Sequence, residues 1–418
     1  MKEIENRTVL LVGVESQQDT TFEYTMIELG NLAEACSYEV VGEVTQKMEH
    51  TKTTLYLGKG KLQEIADQVE KKEIDAVLFN DELSPSQFRN ISELLPCEVL
   101  DRTMVILEIF ASRASTKEAQ LQVEISQLQY ELPRLIGMND ELDRQGGGGG
   151  EGLANRGGGE TKLELNRRQI EARITKKTSE LKKMVQERKT QREKRKKADI
   201  KTVALVGYTN AGKSSLMNAL IQDDEEKQVF AKDMLFATLE TRVRRIGLGK
   251  NSECLLTDTV GFVDKLPHHL IKAFRSTLEE VNEADLLLHI IDISNPHYKE
   301  QKQITLQTLE DIGVQDVPII DVYNKIDVTD IDIPKSGESV YLSATQGTGI
   351  DTLKSKIAEH LFNDYCDGDF LFPYAMGSTV SSMNEKFDIT LHENEENGIH
   401  VIARVPKEFV ERYKEYLQ

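Results

Sequence analysis

Gly207-Tyr208-Thr209-Asn210-Ala211-Gly212-Lys213-Ser214 follows the run Thr202-Val203-Ala204-Leu205-Val206 and precedes Ser215-Leu216-Met217-Asn218-Ala219-Leu220-Ile221. The first flank is short, apolar and rich in β-branched residues, which predicts a buried strand. The second has helical spacing and good helix formers. The GxxxxGK[ST] pattern therefore falls where a strand turns into a helix, the context that gives it meaning. Gly207 and Gly212 let the backbone curl and bring its N–H groups against phosphate oxygens. The helix beginning near Lys213 adds free N–H groups and the positive end of its dipole. Lys213 is placed to reach the outer phosphates. The Ser214 hydroxyl, with Ser215 beside it, is placed to take one position on Mg²⁺. The bland alternative is an ordinary glycine turn; strand, spacing, lysine and serine together argue against it.

The motifs downstream come in a telling order. Residues 229–239 form a loop containing Phe236-Ala237-Thr238-Leu239. Thr238 is the candidate to close on magnesium when a terminal phosphate is present. Strand patterns follow at 241–246 and 253–257, the second ending in Asp258-Thr259-Val260-Gly261. Asp258 can hold Mg²⁺ through water, and Gly261 can turn its N–H to the terminal phosphate. Residues 285–293 read as a buried parallel strand, within which His289 is expected to be a satisfied core residue rather than a ligand. Further strands at 318–323 and 340–342 deliver Asn324-Lys325-Ile326-Asp327 and Ser343-Ala344-Thr345. The Asp327 carboxylate can accept from both the N1–H and the amine of guanine, a pair of donors that adenine lacks. Asn324 shapes that pocket and the Lys325 stem can lie over the purine. Ser343 precedes Ala344, whose N–H can meet the guanine oxygen. GTP, GDP and Mg²⁺ are the expected ligands. Many GTPases carry, after DxxG, a Gln that orients the attacking water. Phe262 stands there instead, so hydrolysis is expected to be slow alone and stimulated by a partner.

At 418 residues the chain has room for several domains. No apolar stretch approaches bilayer-spanning length and no signal peptide is visible. The 4 cysteines are scattered without a CxxC pair, which points to a reducing cytoplasm rather than to zinc or disulfides. The pattern alternates strand and helix over about residues 1–100, predicting a small α/β domain with a largely parallel sheet. Inside it, Gly58-Lys59-Gly60-Lys61 is either a weak second anion site or a glycine turn with solvated lysines. Residues 103–135 read as one long helix, with Leu121, Ile125, Leu128, Leu132 and Leu135 as a heptad seam and Pro133 as a kink or stop. A second long helix over 161–197 holds a sparser seam through Leu163, Ile170, Ile174, Leu181 and Met184. Together they predict an antiparallel hairpin over 101–198. Its tip contains Gly146 to Gly150 and Gly157 to Gly159, either a flexible spacer or a loop that orders against a partner's backbone.

Net charge is −19, which taken alone argues against nucleic acid. The second helix, however, carries Arg167, Arg168, Arg173, Lys176, Lys177, Lys182, Lys183, Arg188 and Lys189 and ends in Arg192-Glu193-Lys194-Arg195-Lys196-Lys197. Such segregation in an acidic chain suggests contact with a phosphate backbone. The competing reading is a solvated face with i,i+4 pairs to Glu164, Glu171, Glu180 and Glu187. A GTPase domain over 199–365 and a small α+β domain over 366–418, with paired strands and a closing helix, complete the multidomain α/β fold.

These words, with Leu235, Leu256, Leu266-Pro267-His268, Ala284-Asp285, Gly58-Lys59-Gly60-Lys61, Asp101-Arg102 and the glycine loop, resemble the HflX family of translation-factor-related GTPases over nearly the whole chain. The resemblance implies an N-terminal α/β domain, a helical hairpin, the GTPase domain and a small C-terminal domain. It also implies the ribosome as partner, chiefly the large subunit and its rRNA near the hairpin tip. The work implied is separation of ribosomal subunits, notably after stress, by a cytoplasmic protein without membrane insertion; a monomer is expected. Where many members have a Pro and paired Thr, this chain has Leu239-Glu240-Thr241-Arg242. Two other readings stand beside this one. The first is a GTP-controlled switch whose hairpin grips a protein; the second is an RNA-binding protein whose nucleotide only stabilises the fold.

Overall fold

The structure is a computed structural model that describes residues 7–16, 21–49, 51, 54–138, 156–197, 200–221, 236, 242–248, 253–267, 270, 280–330 and 337–418. The N-terminal sheet has four strands, β1 (Thr8–Glu15), β2 (Glu39–Lys47), β3 (Ala76–Phe79) and β4 (Glu98–Asp101), in the order β2-β1-β3-β4 and all parallel. Helices α1 (Phe22–Ala35), α2 (Lys59–Lys72) and α3 (Pro85–Ser92) connect them. The start of α3 is fixed by sequence: Ser84 and Gln87 form a reciprocal capping box and Pro85 opens the helix.

The long helix expected over 103–135 is two helices. α4 (Arg102–Arg113) ends at Ala114, and α5 (Lys117–Met138) starts anew after it. α4 buries Val105, Ile106, Ile109 and Phe110 against the N-terminal core. Only α5 belongs to the hairpin. Tertiary packing of α4 overrode the apparent continuity of the helical pattern. Pro133 neither ends α5 nor coincides with its end, since the helix runs on to Met138. The second hairpin helix, α6 (Arg156–Lys197), begins earlier than expected and takes in Gly157 to Gly159; Gly146 to Gly150 lie outside the described residues. Lys117 pairs with Glu180, and Lys177 with Glu124, which fixes an antiparallel register. Leu121, Ile125 and Leu128 are buried along the seam, while Ile170, Ile174, Leu181 and Met184 are half-buried.

The GTPase sheet contains β5 (Thr202–Gly207), β6 (Arg242–Gly247), β7 (Glu253–Asp258), β8 (Leu286–Asp292), β9 (Ile319–Asn324) and β10 (Val340–Tyr341). The order is β10-β9-β8-β5-β7-β6, parallel except for β6 at the edge. Helices α7 (Lys213–Leu220), α8 (Tyr298–Asp311) and α9 (Ile350–Leu361) accompany it. His289 is buried in β8 with Nδ1 at 3.2 Å from the Asp321 carboxylate, a satisfied core residue. The C-terminal unit departs from a strand pair with one closing helix. A third strand, β11 (Tyr365–Phe372), joins β12 (Asp388–Glu395) and β13 (Gly398–Pro406) in an antiparallel sheet. It adds helix α10 (Gly377–Lys386), and the final helix, α11 (Lys407–Arg412), is short.

One apolar core crosses the boundary between the first and third units. Phe22, Met26 and Leu29 of α1 and Ile106 and Phe110 of α4 lie in the same cluster as Val206, Phe262, Val263, Leu309 and Ile312. The GTPase domain thus meets the N-terminal domain through the segment after DxxG. Among the described residues no helix is long and apolar enough to cross a membrane.

Candidate nucleotide site

The end of β5 turns into α7 through a loop that requires glycine at two positions. Gly207 has φ 151°, and a Cβ there would stand 2.3 Å from the Ile290 carbonyl oxygen. Gly212 has φ 94°, and its Cβ would lie 2.2 Å from Asn324 Nδ2. Asn210 also adopts a left-handed backbone, which Asn tolerates better than most residues. Lys213 is buried and its ammonium donates to the carbonyls of Gly207 at 3.0 Å and Tyr208 at 2.8 Å. Burial pushes its pKa down to about 8, opposed by the nearby Asp258 charge.

Ser214 Oγ donates to Asp258 Oδ2 at 2.8 Å, bringing the loop and the end of β7 together. A hydroxyl and a carboxylate are hard oxygen donors, the set that suits Mg²⁺ with water and phosphate completing its shell. The segment after Asp258 lies across the loop. Thr209 N–H donates to the Phe262 carbonyl at 2.7 Å, and Phe262 N–H to the Gly207 carbonyl at 3.2 Å. Gly261 sits so close that a Cβ would be 2.8 Å from Thr209 Cα and 3.1 Å from Lys213 Nζ. The Phe262 ring is 2% exposed and packs in the shared core. Thr209 Oγ1 also accepts from Phe236 N–H at 3.0 Å, and the Phe236 ring meets Phe110 edge-on. Ala237 and Thr238 lie outside the described residues.

The residues expected to read the base converge on the same loop. Asn324 Nδ2 donates to the Ala211 carbonyl at 3.0 Å and its Oδ1 accepts from Ala344 N–H at 3.1 Å. The N–H expected to meet the guanine oxygen is therefore held by Asn324, and a base must share it. Lys325 has φ 66° and its ammonium pairs with Asp292 at 2.7 Å, which holds the stem in place. Ser343 is buried and lies 3.0 Å from Thr345 Oγ1. The Asp327 carboxyl is exposed and held below its ordinary pKa, chiefly by the Ser343 hydroxyl, so it stays an acceptor.

Sequence reasoning gave no place in this site to two residues that abut it, Glu28 and Arg102. Both are buried, and Glu28 accepts from the Tyr208 hydroxyl at 2.5 Å. A signal existed: Glu28 shares the apolar face of α1 with Thr25 and Leu32 at helical spacing, an unexpected place for a carboxylate.

Known proteins match the chain along most of its length. Residues 23–111 match the family described as GTP-binding GTPase N-terminal, 113–195 the GTP-binding GTPase middle region, and 202–325 the 50S ribosome-binding GTPase. GTPase HflX of Caldanaerobacter subterraneus is 43% identical over 98% of this chain and 94% of its own. GTPase HflX of Escherichia coli is 38% identical over 95% and 93%. A Sulfolobus solfataricus GTP-binding protein solved with GDP is 26% identical, covers 85% of this chain and 99% of its own, and has a TM-score of 0.43. With phosphate loop, DxxG, NKxD and both upstream regions in the same order, the chain belongs to the HflX family of GTPases, enzymes that hydrolyse GTP to GDP and phosphate.

Proposed function

We propose that this GTPase acts on the ribosome, docking its hairpin on large-subunit rRNA and coupling GTP binding and hydrolysis to separation of the subunits under stress. The observation that carries this reading is the hairpin itself. α6 extends as a 42-residue helix whose Arg173, Lys176, Lys182 and Lys183 are exposed in a chain of net charge −19. A protein-gripping hairpin has no need of that segregation, whereas a phosphate backbone does. The match of residues 202–325 to a 50S ribosome-binding GTPase supports the same partner.

In the nucleotide site Lys213 binds the outer phosphates, and Ser214, Asp258 and Thr238 serve Mg²⁺. Gly261 meets the terminal phosphate, while Asn324 and Asp327 select guanine. The side chain of Phe262 supplies no group to orient water, so hydrolysis is slow in the free, monomeric, cytoplasmic protein and rises on the large subunit. Co-sedimentation with separated subunits in GTP, a non-hydrolysable analogue and GDP tests this. The expected result is large-subunit binding with the triphosphates and little with GDP. Binding to neither subunit in any nucleotide state would overturn the ribosomal reading.

A further inference from the structure

Two buried side chains of the N-terminal domain grip one backbone residue of the GTPase domain. Arg102 and Glu28 form an ion pair at 1% and 3% exposure. Arg102 also holds the Thr25 carbonyl at 3.3 Å and Asn80 Oδ1 at 3.1 Å within its own domain. The remaining atoms of the pair face outward. Arg102 Nε donates to the carbonyl of Asp264 at 3.3 Å. Glu28 Oε1 accepts from the Tyr208 hydroxyl, whose oxygen accepts in turn from Asp264 N–H at 2.7 Å. Both backbone groups of Asp264 are thereby taken. Next to it, Lys265 adopts φ 55° and pairs with Asp81 at 2.6 Å.

Burying such a pair is a weak source of stability, because desolvation offsets most of the attraction. What the pair gains is direction: it fixes a point two residues beyond Phe262. The chain from Gly261 to Asp264 is consequently laid down over the phosphate loop, with Gly261 against the Lys213 ammonium and Phe262 bridged to Gly207 and Thr209. A terminal phosphate has to reach that ammonium and meet Gly261 N–H in the same space. GDP, which ends one phosphate earlier, makes no such demand.

We infer that Glu28 and Arg102 are nucleotide-selectivity residues: through Tyr208 and Asp264 they hold the DxxG segment against the phosphate loop, and so weaken GTP relative to GDP. The grip and the terminal phosphate compete for one position of Gly261, so each lowers the other's affinity by the same factor. The grip also reaches the hairpin. Asp101, adjacent to Arg102, accepts from Tyr130 and lies 3.3 Å from Arg134, both on α5.

The test is titration of the full-length protein with fluorescent GTP-analogue and GDP, using Tyr208→Phe, Glu28→Gln and their combination. Each single variant is expected to raise the ratio of triphosphate to diphosphate affinity at least about fivefold. The double variant should add little, because both changes open the same grip. Tyr38→Phe serves as control; it removes a hydroxyl bonded to Glu108 at 2.6 Å inside the N-terminal domain without touching Glu28, Tyr208 or Asp264, and should leave the ratio alone. Three outcomes overturn the inference: an unchanged ratio in Tyr208→Phe, an equal shift for both nucleotides, or an equal ratio change in Tyr38→Phe. Thermal melts of each variant identify any that is unfolded, and Tyr208→Phe, which removes only a hydroxyl, decides the matter if Glu28→Gln fails to fold.

Discussion

Asn324 stands over Gly212: its amide nitrogen donates to the Ala211 carbonyl and occupies the place where a Cβ at Gly212 would be. The residue that begins NKxD is thus a strut of the phosphate loop, joining the base and phosphate ends of the site. Gly212→Ala would force a side chain into an αL backbone and against that amide. Strain of about 1–3 kcal/mol is typical of such positions, so nucleotide affinity should fall roughly 10- to 100-fold. Isothermal titration checks it, and guanine selectivity should weaken together with phosphate binding.

Asp327 remains ionised by the Ser343 hydroxyl and is exposed to an incoming base. Asp327→Asn should weaken GTP and admit xanthosine triphosphate, whose ring carries an oxygen where guanine has its amine. Competition binding with both nucleotides reads this out. Unchanged GTP affinity would place the base pocket elsewhere.

Lys213 gives a pH dependence with a definite sign. Its folded pKa of about 8 lies below the ordinary 10.5. The unfolded chain therefore holds more protons between those values, and stability of the nucleotide-free protein should rise with pH across that window. Nucleotide binding needs the charged form, so affinity should move the other way. Between pH 7 and pH 8.5 GTP affinity should drop about fourfold, by the fraction of Lys213 that loses its proton. A flat profile over that range would mean that Lys213 stays charged in the free protein.

Arg173, Lys176, Lys182 and Lys183 are exposed along the described part of α6. Replacing all four with Gln should weaken large-subunit binding and flatten its salt dependence by ~0.7–0.9 in slope for each phosphate no longer neutralised. GTP affinity should not move. An unchanged salt slope in filter binding would leave this helix face merely solvated.

Phe262 is a core residue as well as the successor of DxxG. Phe262→Gln would bury an amide in the apolar core shared by the two domains. The expected loss of stability is about 1–3 kcal/mol, seen as a lower denaturation midpoint. Single-turnover hydrolysis by the free variant should not exceed wild type, because the new amide is carried into the core rather than toward water.

The nucleotide chemistry was legible in the sequence because it depends on local geometry. A strand, a short glycine-bounded loop and a helix make the phosphate site wherever they occur, and Asp258 and Asn324 stand at strand ends that the apolar pattern already marked, with Asp327 three residues beyond. The hairpin was legible too, since a heptad seam is periodic. Tertiary structure decided what periodicity cannot see. Residues 103–135 look like one helix, but α4 is claimed by the N-terminal core and the chain breaks at Ala114. The grip of Glu28 and Arg102 on Asp264 joins residues more than 150 positions apart. Each of these side chains, taken alone, reads as an ordinary charged residue. Only burial removes their access to water, and buried charges must then find specific partners, here the backbone beside the DxxG segment.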